Sequence, residues 1–424
     1  MASLKDVVGD AKVIDCDTHY TEPPDLWTSR APAGYKDRMP YMKTVNGQSL
    51  WFIEGDQPFG MVGTTVVNHE GQKIRGKLSI ASFEEMDEAA YRVAPRLQVM
   101  DRMGVWAQTV YPNACGFGAT KFLGIKDKTL QLSCVQIYND AIAEWQAESN
   151  GRLFPQALLP FWDIGDTLKE ARRIREDLHL TGVTLTDRPE VFEQPDYGQA
   201  HWEPLWEMIN EYRIPVNFHI GAGLKTFVLD DFAWGSFGPQ RKLASIATLM
   251  YMSNAYMVNC FMLSGLFDRY PNLKLVSVES GCGWVPFVLE AAEYQWDEMA
   301  PDEAKELQRR PTEYFKDHIY ATFWFEDFGV KHFIESIGPN NLLFETDFPH
   351  PTCLYPESQA HLAQVLARLD PAVRRRVVQD NAAELYKIPL PAEGRVFDGY
   401  GRGARPCAPT RSRDRDVFDG AGQT

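Results

Sequence analysis

Apolar residues in this chain come in short bursts, separated by longer stretches in which apolar positions recur every three to four residues. The bursts are rich in β-branched and aromatic residues and end in polar or turn-forming ones, the pattern of buried strands. Eight stand out: 12–19 (KVIDCDTH), 106–113 (WAQTVYPN), 154–163 (FPQALLPFWD), 182–187 (GVTLTD), 214–221 (IPVNFHIG), 273–281 (LKLVSVESG), 318–327 (HIYATFWFED) and 341–350 (NLLFETDFPH). Stretches 128–149, 166–178, 201–213 and 284–300 carry helical spacing. Strands alternating with helices pair in parallel, because each crossover helix returns the chain to the same end of the sheet. Eight such units predict an α/β fold of the (β/α)8, TIM-like barrel type. A doubly wound open sheet is the runner-up.

Two regions break the rhythm. Residues 25–93 hold no clear strand–helix unit and are rich in Pro, Gly and aromatics, which predicts a cap-like insertion after the first strand. A hairpin is expected to turn at Asn46-Gly47, a pair suited to two consecutive positive φ angles. Trp27, Trp51, Phe52 and Phe59 are expected to pack as the core of this cap, with an apolar wall over a cleft as the other role. The barrel then spans residues 11–390, and 391–424 form a C-terminal extension whose two VFDG segments suggest packing on the body or on a second subunit. Residues 249–267 (LMYMSNAYMVNCFMLSGLF) predict one long apolar helix, buried against the barrel or in a homodimer interface.

Composition narrows the partners. The 424-residue chain is 44% hydrophobic and 24% charged, ordinary values for a globular protein. A formal charge of −15 argues against nucleic acid or an anionic membrane surface, both of which attract basic patches. It leaves a small-molecule substrate open. No apolar run approaches the roughly 20 residues that span a bilayer, and the first residues lack a signal-peptide core, so a cytoplasmic protein is expected. The seven cysteines are scattered without a C-x-x-C pair, so no disulfide framework is expected, and Cys282 is read as a packed residue.

Chemistry concentrates at the strand ends. In a barrel of this type, catalytic groups sit at the C-terminal ends of the strands. Those ends carry Asp17 and His19, then Tyr111 and Asn113, Trp162 and Asp163, Asp187 and Arg188, His219, Glu279, then Trp324, Glu326 and Asp327, and finally Asp347 and His350. Singly these are weak signals, since a strand-end Asp more often caps a helix and Glu279 could pair with Arg188. Jointly, imidazoles and carboxylates from strands one, five and eight converge on one mouth. Both are ligands for Zn²⁺ and related divalent metals. Strand alternation puts Asp15 on one face with Asp17 and His19, one step deeper, where it would orient a ligand.

The segments IDCDTHYTEPPDLW, NFHIG, ESGCGWVPFVLE, ETDFPHP and NAAELYKI occur in this order between residues 11 and 390. Together they resemble the amidohydrolase superfamily, in the branch that includes aminocarboxymuconate-semialdehyde decarboxylase and metal-dependent hydrolases. The resemblance implies one divalent metal held by Asp17, His19, His219 and Asp347, with Asp347 able to accept a proton from metal-bound water. It also implies a homodimer. Two positions depart from the pattern. Asp17 replaces the first histidine of H-x-H, which makes the donor set harder, so Fe²⁺ or Mn²⁺ joins Zn²⁺, the first expectation. Glu279 and Ser280 stand where decarboxylases of the branch place a histidine. No lysine at the end of strand four would bridge a second metal.

The expected function is therefore hydrolysis of an acyl bond, as in an ester, an amide or a thioester such as an acyl-CoA. Asp347 or Glu279 would act as general base, and Arg188 and His350 would hold a substrate carboxylate or oxyanion. The alternative is non-oxidative decarboxylation of an aromatic or dienoic acid. A catalytically degenerate barrel acting as a binding protein is a third reading, disfavoured by four competent ligands.

Overall fold

The computed structural model describes residues 2–225 and 233–391. Its strands are β1 (Val13–Asp15), β2 (Tyr41–Val45), β3 (Gln48–Ile53), β4 (Gln57–Met61), β5 (Val105–Val110), β6 (Leu153–Leu158), β7 (Gly182–Thr184), β8 (Val216–His219), β9 (Leu275–Val278), β10 (Ile319–Phe323) and β11 (Leu342–Phe344). All eight bursts of the apolar pattern became strands. They form one parallel sheet in the order β1-β5-β6-β7-β8-β9-β10-β11. The sheet comes round on itself just past the strand ends: Cys16 N–H donates to Phe344 O at 2.7 Å, and His19 N–H to Phe348 O at 2.8 Å. This is a (β/α)8 barrel, not an open sheet.

Ile14, Cys16, Ala107, Val276, Val278 and Leu343 pack in the interior with Tyr386. Tyr386 ends the helix Asn381–Tyr386, the NAAELYKI segment. Its hydroxyl donates to Asn217 Oδ1 at 2.6 Å, beside that of Tyr111 at 3.0 Å. The amide of Asn217 in turn donates to Gln156 Oε1 and Val183 O, so this buried polar cluster is fully paired.

The strands are shorter than the bursts that predicted them. β1 stops at Asp15 and β11 at Phe344, so Asp17, His19 and Asp347 ride on the loops beyond, and only His219 ends a strand. Glu279 (φ 53°) and Asp347 (φ 60°) adopt left-handed backbone there, a conformation that costs a non-glycine residue about 1 kcal/mol or more and clusters at functional sites.

Residues 25–93 carry a three-stranded antiparallel sheet, β2-β3-β4. Its first hairpin turns at Asn46 (φ 52°) and Gly47 (φ 76°), both left-handed as a two-residue turn of the I′ type requires. Trp27 meets Trp51 edge-to-face at 5.2 Å and Phe122 at 6.1 Å. The Trp27 indole donates to Cys134 O on the helix Lys128–Glu148, which fastens the segment to the barrel. Trp27, Trp51 and Phe59 are core residues.

The single helix expected over 249–267 is instead divided among Pro239–Met250, Asn254–Leu263 and Leu266–Arg269. Asn254 is buried and donates to Phe218 O at 2.8 Å and Ser277 Oγ at 3.1 Å, so a side chain that reads as polar interruption binds the segment to β8 and β9. The expected extension lies, from residue 392 on, outside the described residues.

Candidate metal centre

His19 and His219 set the geometry. Each ring places Nδ1 on a backbone carbonyl, Pro112 O at 3.1 Å and Ile220 O at 2.8 Å. A carbonyl only accepts, so each Nδ1 carries a hydrogen and each Nε2 is left for the centre. The two Nε2 atoms face each other at 3.2 Å. Asp17 oxygens lie 3.4 Å from His19 Nε2 and 3.6 Å from His219 Nε2, and Asp347 Oδ1 is 3.5 Å from His19 Nε2. Glu279 Oε2 is 3.0 Å from His219 Nε2. Asp17, His19, His219 and Asp347 are all wholly buried. Among the described residues, both oxygens of Asp17 lack a hydrogen-bond donor, and Oδ1 of Asp347 meets only ring nitrogens, of His350 at 3.0 Å and His19 at 3.5 Å. Buried, unpaired carboxylate oxygens beside two converging imidazole nitrogens are costly without a cation, and a divalent ion would satisfy all of them at once. The residues fit such an ion.

Charge in the cluster is redistributed accordingly. Burial pushes the carboxyls of Asp17 and Glu279 up, each to about 7. Burial would lower His219, but Asp17 and Glu279 outweigh it and raise the imidazole to about 10. His19 is driven well below its ordinary value by burial and by His350 beside it. Asp347 is held below the usual carboxylate range despite burial, because His350 and His19 face it. Protein alone thus compensates these acids with a proton on His219, at the position a metal ion would claim.

Other side chains hold the loops that carry these groups. Asp15 accepts from Thr346 N–H at 2.8 Å, Thr346 Oγ1 at 2.6 Å and Gln108 Nε2 at 3.1 Å, and burial raises its carboxyl to about 7. It does not share a face with Asp17 and His19 as strand alternation predicts, because β1 ends at Asp15 and the chain leaves the pleat. The buried Arg96 guanidinium donates to the carbonyls of His19 and Ala89. Glu345 accepts from Glu279 N–H at 3.2 Å, and Glu326 from Cys282 N–H at 2.7 Å and Gly283 N–H at 2.8 Å, so two carboxylates, Glu345 buried and Glu326 half-buried, fix the loop after β9. Glu22 does the same after β5, accepting from the N–H groups of Asn113, Ala114 and Cys115.

The structure also sorts the remaining strand-end residues. His350 joins the centre: its Nδ1 is 3.0 Å from Asp347 Oδ1, and its ring stacks on His19 at 3.4 Å. Arg188 does not. It pairs with Glu190 at 3.0 Å and lies over Tyr256, so the pairing with Glu279 that the sequence left open is not made and Glu279 turns to His219 instead. Asp163 caps the helix Ile164–Glu176 through Asp166 N–H. Asp327 pairs with Arg368, and Cys282 is packed core. Asp187 is buried, and burial raises its carboxyl to about 6.

Three neighbours escaped the reading of the sequence. Phe117 stacks on His219 at 3.7 Å, and Thr64 Oγ1 lies 2.6 Å from His350 Nε2. Tyr251 stands edge-on to Trp324 at 5.1 Å. Only Phe117 left a local sign. It precedes Gly118, where an added Cβ would come within 2.5 Å of Thr186 N.

Comparison with known proteins agrees with this architecture. The amidohydrolase family profile matches residues 14–388. The gamma-resorcylate decarboxylase of Polaromonas sp. (strain JS666 / ATCC BAA-500) is 25% identical over 309 residues, 69% of this chain and 86% of that protein. The 2-amino-3-carboxymuconate-6-semialdehyde decarboxylase of Dictyostelium discoideum is 23% identical over 282 residues, 63% of this chain and 70% of its own. Among solved structures, the dihydroxybenzoic acid decarboxylase of Polaromonas sp. JS666, with bound manganese and the inhibitor 2-nitroresorcinol, superposes with a TM-score of 0.58 at 18% identity, over 91% of this chain and 100% of its own. These relatives are decarboxylases, which overturns the expected acyl hydrolysis. The missing strand-six histidine weighed wrongly in that expectation. Glu279 occupies the place, against His219, with a carboxyl that burial raises into the range of an imidazole. The profile and the ordered motifs around Asp17, His19, His219 and Asp347 lead to one statement: the chain belongs to the amidohydrolase family, in the branch of the aminocarboxymuconate-semialdehyde decarboxylases.

Proposed function

We propose that this protein is a non-oxidative carboxy-lyase, which removes the carboxyl group of a hydroxylated aromatic acid as CO2 and leaves a hydrogen in its place. One observation carries the reading: a wholly buried set of two carboxylates and two imidazoles whose unpaired oxygens and Nε2 atoms converge on one point. Relatives that decarboxylate gamma-resorcylate and aminocarboxymuconate semialdehyde support the reaction type.

Asp17, His19, His219 and Asp347 would hold one divalent ion. The mixed carboxylate–imidazole set suits Mn²⁺ as well as the Zn²⁺ expected first, and the manganese in the Polaromonas structure supports Mn²⁺. When bound, the ion supplies a positive anchor for the substrate carboxylate and the oxygen next to it. Phe117, against His219, gives the ring an apolar wall. Glu279 delivers the proton. Its O–H bond breaks as a C–H bond forms at the ring carbon, and the C–C bond then releases its electron pair to the ring as CO2 departs. Glu279 keeps 11% of its side chain exposed, enough to be reprotonated from solvent. Exposed Phe287, Met299 and Phe328 support a homodimer, which sedimentation velocity would test.

The experiment is CO2 release from 2,6-dihydroxybenzoate and a panel of other hydroxybenzoates by Mn²⁺-loaded protein. One CO2 per decarboxylated phenol is expected, with turnover lost in Glu279→Gln by about 10²-fold or more. No CO2 from any hydroxybenzoate would sink the proposal.

A further inference from the structure

We infer that Thr64, on the segment between β1 and β5, is a positioning residue for His350, and that the insertion thereby becomes part of the site. The segment runs between the loops that follow β5 and β11: Thr64 N–H donates to Asn113 Oδ1 at 2.8 Å, and Val66 N–H to Pro349 O at 3.0 Å. Gly63 makes that approach possible. Its φ is 140°, and a Cβ there would lie 3.1 Å from the Asn113 side chain.

Asn113 is itself oriented. Its Nδ2 donates to Thr21 Oγ1 at 2.9 Å and Thr65 Oγ1 at 3.2 Å, so Oδ1 is the atom turned to Thr64. The Thr64 hydroxyl then lies 3.0 Å from Asn113 Oδ1 and 2.6 Å from His350 Nε2. The opposite edge of the His350 ring meets Asp347 Oδ1 at 3.0 Å, and one face is covered by His19 at an interplanar angle of 11°. Thr64 therefore closes the third side of a clamp. Without its hydroxyl, Nε2 keeps only the longer contact to Asn113 Oδ1, at 3.4 Å, in a site where only 4% of His350 is exposed to water that could replace the lost partner. The ring is then held less firmly about Cβ–Cγ, and the Nδ1 contact to Asp347 loosens with it.

The consequence for turnover rests on the carboxy-lyase reading; the clamp does not. The test compares full-length wild type with Thr64→Val, which keeps the shape, Thr64→Ser, which keeps the hydroxyl, and Thr64→Ala, in case valine disturbs folding. Histidine ring-nitrogen NMR spectra of ¹⁵N-histidine-labelled protein without added metal give the first readout, with His350 assigned by its loss in His350→Gln. The His350 signals should move in the valine and alanine variants while those of His318, far from the clamp, stay in place, and serine should restore them. The second readout is CO2 release from 2,6-dihydroxybenzoate with Mn²⁺. Here kcat should fall about tenfold or more in Thr64→Val with KM within about twofold, and recover in Thr64→Ser. Unmoved His350 signals in both Thr64→Val and Thr64→Ala would overturn the inference, as would wild-type kcat in Thr64→Val. If wild type releases no CO2 at all, the carboxy-lyase reading fails while the spectra still decide the clamp.

Discussion

His318 shows what separates a structural histidine from a metal-binding one. It is buried like His19 and His219, but both of its nitrogens are satisfied by protein: Nδ1 faces Leu273 O at 2.8 Å, and Nε2 accepts from Arg309 Nη2 at 2.9 Å. Protonating Nε2 would break that bond and bring two cations together. Burial accordingly lowers the imidazole to about 4. The folded protein refuses a proton that the unfolded chain accepts below about pH 6.5, so stability falls as pH drops from 6.5 towards 4. We expect wild type to lose about 3 kcal/mol over that range relative to His318→Gln, read as the gap between their urea unfolding midpoints. A gap that stays constant with pH would contradict the assignment. At His19 and His219 the second nitrogen has no such donor, and a metal ion is the partner that fits.

The loops after the strands are the elements that decide the site. The loop after β9 is fixed by Glu326 and Glu345, which accept the N–H groups of Cys282, Gly283 and Glu279. Gly281 lies in that loop at φ 67°, where a Cβ would come within 2.9 Å of Glu326 Oε1. Gly281→Ala should therefore cost about 1 kcal/mol for the backbone plus the displacement of Glu326, and shift Glu279 with it. Gly338, at φ 105° with open space around it, is the comparison, since alanine there meets backbone strain alone. Urea midpoints should rank Gly281→Ala below Gly338→Ala, and only the former should lower CO2 release. Equal stability losses and undiminished activity would show that the loop tolerates movement of Glu279.

At the scale of the whole molecule, the barrel closes around a centre whose acids repel one another. Asp17, Glu279 and Asp347 sit together beneath the mouth, and among the described residues the proton on His219 is the main compensation for Asp17 and Glu279 in the protein alone. An ion that binds the folded chain and not the unfolded one stabilises it by about 2.7 kcal/mol at a hundredfold excess over its Kd. Chelator-treated protein should accordingly melt lower than protein with Mn²⁺ restored, by several degrees at saturating ion. Asp347→Asn and His219→Ala should each abolish most of that difference and lose the stoichiometric metal seen by elemental analysis. A melting temperature indifferent to Mn²⁺ in wild type would remove the ion from the account of the fold.

Much of this was determined by the sequence. Apolar bursts of strand length with helical stretches between them leave few ways to bury both faces of a parallel sheet, and a closed barrel is one. The Asn46-Gly47 turn followed from local backbone preference, and the gathering of imidazoles and carboxylates at one mouth followed from their places at strand ends, while the set Asp17, His19, His219 and Asp347 came with the resemblance to the amidohydrolases. What only the tertiary structure decided depends on contacts between residues far apart in the chain. β1 stops before Asp17 and His19, so alternation misplaced Asp15, and Asn254 tied its segment to β8 and β9 where apolar content read as one continuous helix. Arg188 found Glu190, leaving Glu279 to His219. Thr64 meets His350 across 286 positions, a distance over which local pattern carries no signal. Local pattern records which face a residue prefers to bury; which partner completes its hydrogen bonds is settled only when the chain has closed.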